Sequence, residues 1–292
     1  MRQDNLPLLT IGLPFFNNQH TLANAIKSVL IQSYKNWELI LINDGSTDCS
    51  YDIAVGMSKA DSRIIVISDG QNKGLIARLN QIIDLASGNY IARMDSDDMM
   101  LPGKLEKQMA VLMKNPGIDV IDTAAYTIDE YDNPTGLRGM EDIAKNKKGA
   151  IKNVLLFHPT VIAKTNWFRA NPYSPDFLRA EDYELWNRTF SNTVFYRIKA
   201  PLFLYREGNV NVKNYALSMQ SVRKIIKQYG PDILNKQELV TEVLKTYVKS
   251  GLYTVFGFFN LQQFLSSKRN SMLNEEQIKE VRSFIGLIKG TP

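Results

Sequence analysis

Between residues 8 and 94, short apolar runs alternate with stretches of helical periodicity, and that alternation leaves few folds open. Leu8-Leu9-Thr10-Ile11-Gly12-Leu13-Pro14 is an apolar run stopped by Pro14, which suits a buried strand ending at a loop. After the loop at 15 to 20, Leu22, Ala25, Ile26, Val29 and Leu30 recur at the three-and-four spacing of an amphipathic helix. Residues 37 to 42 repeat the strand. The turn Asn43-Asp44-Gly45-Ser46-Thr47-Asp48 then offers N-caps to a helix over 52 to 58. A third strand at 64 to 67, a helix at 74 to 86 and a fourth strand at 90 to 94 complete the series. Strands alternating with helices of this length predict an α/β fold: a largely parallel sheet covered on both faces. Ligands of such sheets sit outside the carboxyl ends of the strands. Those ends are Pro14-Phe15, Asn43-Asp44 and Asp95-Ser96-Asp97.

The third end carries the most chemistry, because an apolar strand runs into Asp95, Asp97 and Asp98 within four residues. Carboxylates crowded there repel unless a cation neutralises them. The bland alternative is an acidic turn that caps a helix beginning near Pro102. A single cysteine, Cys49, excludes an internal disulfide, and with only His20 and His158 beside it the usual zinc spacings are absent. Any metal must therefore be held by oxygen, which points to Mn2+ or Mg2+. Neither G-x-G-x-x-G nor G-x-x-x-x-G-K-[ST] occurs, so a bound diphosphate would depend on that metal.

Further along, a helix is predicted over 101 to 113 with Pro102 in its first turn, and a strand over 118 to 121. Residues 131 to 148 lack periodicity and read as a loop. The run 154 to 163 reads as a strand or its entry, with His158 either packed or at the wall of a cleft. In Arg179-Ala180-Glu181-Asp182-Tyr183-Glu184-Leu185-Trp186, Glu181 and Asp182 fall in the first turn of a helix. There they either answer the helix dipole or supply a general base. Two strand-like runs at 194 to 198 and 202 to 206 follow, the second ending in Arg206, an arginine that either meets phosphate oxygens or is solvated.

Beyond residue 213 helical periodicity takes over, which sets a boundary near 210 and divides the chain into 1–210 and a C-terminal helical region, 211–292. The net charge of +5 lies wholly in that tail: residues 213 to 292 hold 12 Lys/Arg against 6 Asp/Glu, leaving 23 against 24 before them. No nucleic-acid motif accompanies it, so the expected partners are anionic surfaces or substrates rather than nucleic acid. No apolar run approaches the ~20 residues of a spanning helix, and the expected location is cytoplasmic. The aromatic-rich run 252 to 265, flanked by Lys249, Lys268 and Arg269, either packs on its own domain or makes a peripheral contact with the inner face of a membrane.

Taken together, five motifs resemble those of the inverting nucleotide-sugar glycosyltransferases of family 2, which have the GT-A fold. They are Ile11-Gly12-Leu13-Pro14-Phe15-Phe16-Asn17, Ile42-Asn43-Asp44-Gly45-Ser46-Thr47-Asp48, Asn72-Lys73-Gly74 with Ala77-Arg78-Leu79-Asn80, Ala92-Arg93-Met94-Asp95-Ser96-Asp97-Asp98, and Glu181-Asp182-Tyr183-Glu184-Leu185-Trp186. The resemblance covers residues 8 to about 206. It implies that Asp44 bonds the donor's base, that Asp95 reaches toward the ribose, and that Asp97, with Asp95, ligates the metal on the diphosphate. It further implies Pro14, Phe15, Asn17, Asn72, Gly74, Arg78, Ser96 and Arg206 as donor-site residues, and Asp182 as the base, with Glu181 its rival. The implied donor is a nucleoside-diphosphate sugar and the implied acceptor a glycan or lipid-linked glycan of a surface polysaccharide. The Q-x-x-R-W signature of processive members is missing, which favours addition of a single sugar. A silent sugar-nucleotide binding module and a nucleotidyltransferase are the alternatives.

Overall fold

The computed structural model describes residues 6–208, 211–259, 261, 265 and 269–291. Strands β1 (Leu9–Phe15), β2 (Trp37–Asn43), β3 (Ile64–Ser68) and β4 (Tyr90–Arg93) are parallel, in the order β3-β2-β1-β4. Helices α1 (Leu22–Leu30), α2 (Ser50–Ala60) and α3 (Leu75–Leu85) connect them. Side chains along a strand point alternately to its two faces. Leu39 and Leu41 of β2 accordingly share one core with Leu22, Ile26 and Val29 of α1, whereas Ile40 and Ile42 share another with Ile76, Leu79 and Ile83 of α3. Both faces are covered, which is why these strands read as continuous apolar runs.

The second half of the sheet is mixed. It is built from β5 (Met99–Met100), α4 (Lys104–Lys114), β6 (Val120–Ile128), β7 (Pro134–Arg138), α5 (Lys147–Lys152), β8 (Ile162–Lys164), α6 (Thr165–Ala170), α7 (Glu181–Thr189) and β9 (Phe195–Arg206). The order continues β4-β8-β6-β9-β5, with β7 on β6. Strand β8 is antiparallel to β4 and β6, and β9 is parallel to β6.

Several local expectations need correction. The segment 131 to 148 contains β7, the return arm of a hairpin whose turn is tied by Asp129 Oδ1 accepting from the N–H groups of Tyr131 and Asn133 at 2.9 and 2.8 Å. Pro134-Thr135-Gly136 shows no alternation, so pairing alone reveals that strand. The runs 194 to 198 and 202 to 206 belong to one strand, β9. Its register against β6 shifts around Ala124, opposite Pro201, where the proline has no N–H to give to the ladder. Pro102 precedes α4 instead of opening it; Gly103, at φ 80°, is the N-cap. His158–Thr160 is a turn of 3₁₀ helix, and the strand starts only at Ile162.

Helices α8 (Val212–Tyr229), α9 (Lys236–Phe258) and α10 (Glu275–Lys289) follow. Val281, Ile285 and Ile288 of α10 are buried with Met99, Tyr126 and Leu204, and Tyr126 Oη donates to Glu280 Oε2 at 2.7 Å. Burial of each such aliphatic side chain contributes about 1.5–3 kcal/mol, enough to fasten α10 behind β5. Helix α8 is held through Ile225, buried with Phe177 and Ala180, and Ile226, buried with Ile151. It thus lies beside the start of α7, and α9 packs along it.

Candidate active site

Strand β4 ends at Arg93, paired with Gly12, while β1 runs on to Phe15 beside Asn43. The chain therefore leaves the sheet at Met94, next to the end of β1, and the acidic turn forms there. Four bonds fasten it. Ser96 Oγ donates to Asn18 Oδ1 at 2.8 Å, Thr21 Oγ1 to the Ser96 carbonyl at 3.1 Å, the Arg206 N–H to Asp98 Oδ1 at 2.7 Å, and Arg206 Nε to the Asp97 carbonyl at 2.9 Å. The buried Arg93 guanidinium grips Asp95 with two nitrogens, Nη1 reaching Oδ2 at 2.5 Å.

Among the described residues, Asp97 and Asp98 have no such counter-ion. Burial, then the charge of Asp95, pushes Asp97 up to about 6. Burial, then Asp97 and Asp95, pushes Asp98 well above the carboxylate range. Asp98 Oδ2 is buried with no hydrogen-bond partner among the described residues. Oxygens of Asp95, Asp97 and Asp98 all lie within 4.8 Å of one another. A crowded, desolvated, oxygen-only donor set with an orphaned oxygen fits a hard divalent ion. The capping alternative fails on position, because β5 and the Gly103 cap stand between this turn and α4, whose first-turn acid is Glu106.

The neighbouring loops are knit to each other. Asp44 Oδ1 accepts from the Lys73 and Gly74 N–H groups at 2.7 and 3.2 Å and from Arg78 Nε at 2.8 Å; Oδ2 accepts only from Gly74, at 3.0 Å. Gly45, at φ 76°, permits the approach, since a Cβ there would stand 2.9 Å from the Asn72 nitrogen. Asn17 Oδ1 accepts from the Thr47 N–H at 2.8 Å, and the Asn17 N–H donates to Ser46 Oγ at 3.0 Å. Arg78 is fully buried, and its five N–H bonds reach Asp44, Asp69, Gln81 and the Gln71 carbonyl. It orders the loop and has no donor left for a ligand. Arg206 is tied to loops through three side-chain bonds, reaching the Asp129 carbonyl at 2.8 Å and Asp132 at 2.6 Å besides Asp97. Phe15 packs in the core, and its neighbour Phe16 is the exposed ring. Asn72 is exposed.

At the start of α7, the N-cap Ala180 contributes no side-chain bond, and Asp182 Oδ1 accepts from the Tyr183 N–H, at 2.8 Å. Burial is the main cause that raises both acids, Glu181 to about 7. The charge of Arg93 opposes the rise in both, and that of Asp95 adds to it, so the two acidic clusters share one field. Asp182 lines a cavity of about 380 Å³ walled by Trp186, Tyr183 and, from α8, Met219, Val222 and Ile226. Glu181 is not among its walls. His158 is a packed residue: its Nε2 lies 2.8 Å from Tyr173 Oη, its ring meets Trp186, and burial drives it well below the usual histidine value.

The family described as Glycosyl transferase family 2 matches residues 10–197, a span that holds the carboxyl ends of β1, β2 and β4 and both acidic clusters named above. The chain belongs to glycosyl transferase family 2. This glycosyltransferase is 33% identical over 259 residues to the UDP-Glc:alpha-D-GlcNAc-diphosphoundecaprenol beta-1,3-glucosyltransferase WfgD of Escherichia coli, covering 87% of this chain and 91% of that protein. Its GT-A-like fold is shared with S. aureus TarS 1-349 in complex with UDP, at TM-score 0.59 and 16% identity over 82% of this chain and 70% of that one. The mannosyltransferase PcManGT from Pyrobaculum calidifontis, in complex with GDP-Man and Mn2+, matches at TM-score 0.58 and 12% identity over 98% of this chain and 82% of that one.

Two residues that hold the candidate site of this glycosyltransferase, Arg93 and Asn18, are assigned no role by the motifs. Arg93 holds Asp95, and its signal was available, since residues two apart at a strand end share a face. Asn18 bridges the Phe16 N–H, at 3.1 Å, to Ser96. Asp98 stands in the cluster as a third carboxylate, although the D-x-D spacing singles out only Asp95 and Asp97.

Proposed function

We propose that the protein transfers one sugar, with inversion, from a nucleoside-diphosphate sugar to a hydroxyl of a glycan or lipid-linked acceptor in surface polysaccharide synthesis. The observation that carries this is the position of Asp182, a carboxylate in the field of Arg93 and Asp95 that also lines a separate cavity. A base between two binding regions is what a direct displacement needs. Asp44 Oδ2 keeps an acceptor site for a ring N–H of the donor's base. Asp97 and Asp98, with Asp95, would hold Mn2+ or Mg2+, which would supply Lewis-acid stabilisation to the departing diphosphate. Asp182 takes the acceptor's hydroxyl proton as that oxygen bonds to the anomeric carbon; the bond to the diphosphate oxygen breaks, and its electron pair leaves with the diphosphate. The lipid-linked acceptor of WfgD and the Mn2+ bound with GDP-Man in PcManGT support these assignments by similarity.

The test is incubation with UDP-, GDP- and dTDP-sugars and Mn2+. Release of nucleoside diphosphate from one donor is expected. Pyrophosphate release would assign a nucleotidyltransferase, and binding without release a silent module.

No helix among the described residues is long and apolar enough to cross a membrane. Yet α9 exposes Val240, Leu244, Val248, Leu252, Val255 and Phe258, each about one helical turn from the last. With Lys245 and Lys249 beside it, this row fits the surface of an anionic bilayer. Arg269, expected to join it, instead donates to Tyr253 Oη at 2.6 Å, and Lys268 lies outside the described residues. Val248→Glu with Val255→Glu is expected to abolish co-sedimentation with phosphatidylglycerol vesicles; retained binding would refute the contact.

A further inference from the structure

The cavity beside Asp182 holds a charge pattern that a neutral sugar does not require. Its walls carry Lys152, Arg179, Lys245 and Lys249 against only two carboxylates, Asp182 and Glu242. Two of the cations are committed: Lys152 to Glu238 at 2.9 Å and Lys245 to Glu242 at 2.8 Å. Arg179 and Lys249 are exposed and have no hydrogen-bond or ion-pair partner among the described residues. Arg179 moreover sits at φ 60°, a left-handed conformation costly for a non-glycine residue, three positions before Asp182. The inner wall is apolar, formed by Trp186, Val222 and Ile226. At the outer lip, Lys245 and Lys249 also border a shallow depression floored by Leu244 and Val248, on the exposed row of α9.

One cavity therefore joins a carboxylate to two unpaired cations, and Lys249 carries it on to an apolar depression. We infer that this cavity is the acceptor site and that it takes an amphiphilic phosphate ester. The reacting hydroxyl meets Asp182, the phosphate lies between Arg179 and Lys249, and the hydrocarbon passes over Leu244 and Val248. The inference rests on the transferase reading, because it needs Asp182 as the base. Its size agrees, since about 380 Å³ lies within the range of small-molecule sites. The phosphate could belong to a lipid-linked diphosphate or to a bilayer headgroup, and the cations select the more highly charged diphosphate.

The test is calorimetry with farnesyl diphosphate below its micellar concentration, in EDTA so that the acidic turn cannot bind the diphosphate through a metal. Binding is expected in the parent chain. Arg179→Gln with Lys249→Gln is expected to weaken it about tenfold or more, the scale of charge-assisted bonds to phosphate. Both residues are exposed and unpaired, so the melting temperature should be kept. Lys236→Gln, on α9 but away from the cavity, should leave the affinity unchanged. Farnesol and monomeric dihexanoyl phosphatidylglycerol should each bind at least about tenfold more weakly. The inference is overturned if the double variant binds as the parent does, if Lys236→Gln weakens binding equally, or if farnesol or the short phosphatidylglycerol matches the diphosphate. A chain that turns over a sugar nucleotide yet ignores farnesyl diphosphate loses this inference alone. One that binds the diphosphate but releases nothing from any donor loses the transferase reading instead.

Discussion

Asp182→Asn is expected to lower glycosyl transfer by roughly 10²- to 10⁴-fold, the range that general-base catalysis supplies, with donor affinity nearly unchanged. The amide keeps the shape of the side chain and the bond from the Tyr183 N–H, but it cannot take the acceptor's proton. It also removes a desolvated charge, so the melting temperature should not fall. Glu181→Gln is the control, because Glu181 shares the field of Arg93 but not the walls of the cavity. Loss of transfer in Glu181→Gln with retention in Asp182→Asn would reassign the base; retention in both would leave the acidic pair as no more than a helix start. The parent's pH profile gives a second reading. A base works deprotonated, and burial raises both acids of this pair. Transfer should therefore be complete above the raised value and fade as pH falls through it, with the acid limb above the ordinary carboxylate range.

Asp97→Ala is expected to weaken nucleoside-diphosphate binding about tenfold or more, the order of one lost charged contact, and to remove its dependence on Mn2+ or Mg2+. The Asp97 carboxylate accepts no hydrogen bond from another residue among those described, and the backbone carbonyl that Arg206 Nε meets is kept, so the substitution breaks no internal bond. Asp98→Asn separates ligand from scaffold. It keeps an oxygen for the Arg206 N–H and alters the orphaned one, so any loss of metal-dependent binding is owed to that second oxygen. Calorimetry of the parent that returns equal donor affinity in EDTA and in Mn2+ would exclude the metal from donor binding.

The parallel half of the fold was legible because strands covered on both faces, such as β1 and β2, must be apolar at every position. Strand β7 was not, for an edge strand takes its conformation from its partner. Helix α6 was missed because six residues are too short for a period to show. Positions that answer to backbone geometry also read well, among them Asp44 with Gly45 and the acidic turn after β4. Arg78 and Arg206 have a structural task that their motifs do not announce. A motif marks that an arginine is needed without saying whether its donors face a ligand or the loops that hold the site, and here both guanidiniums hold loops. The cavity at Asp182 was beyond the sequence altogether, since its walls come from α5, α7, α8 and α9 and meet only through tertiary packing.

The stereochemistry of donor cleavage tests the central claim most directly, and it needs no known acceptor. When water takes the acceptor's place, a base that stands across from the diphosphate must deliver it to the opposite face of the anomeric carbon. Proton NMR of the sugar released from an α-linked donor, read before mutarotation, should show the β anomer forming first and its formation slowed in Asp182→Asn. Initial release of the α anomer would mean retention, and with it a mechanism in which Asp182 is not the base described here.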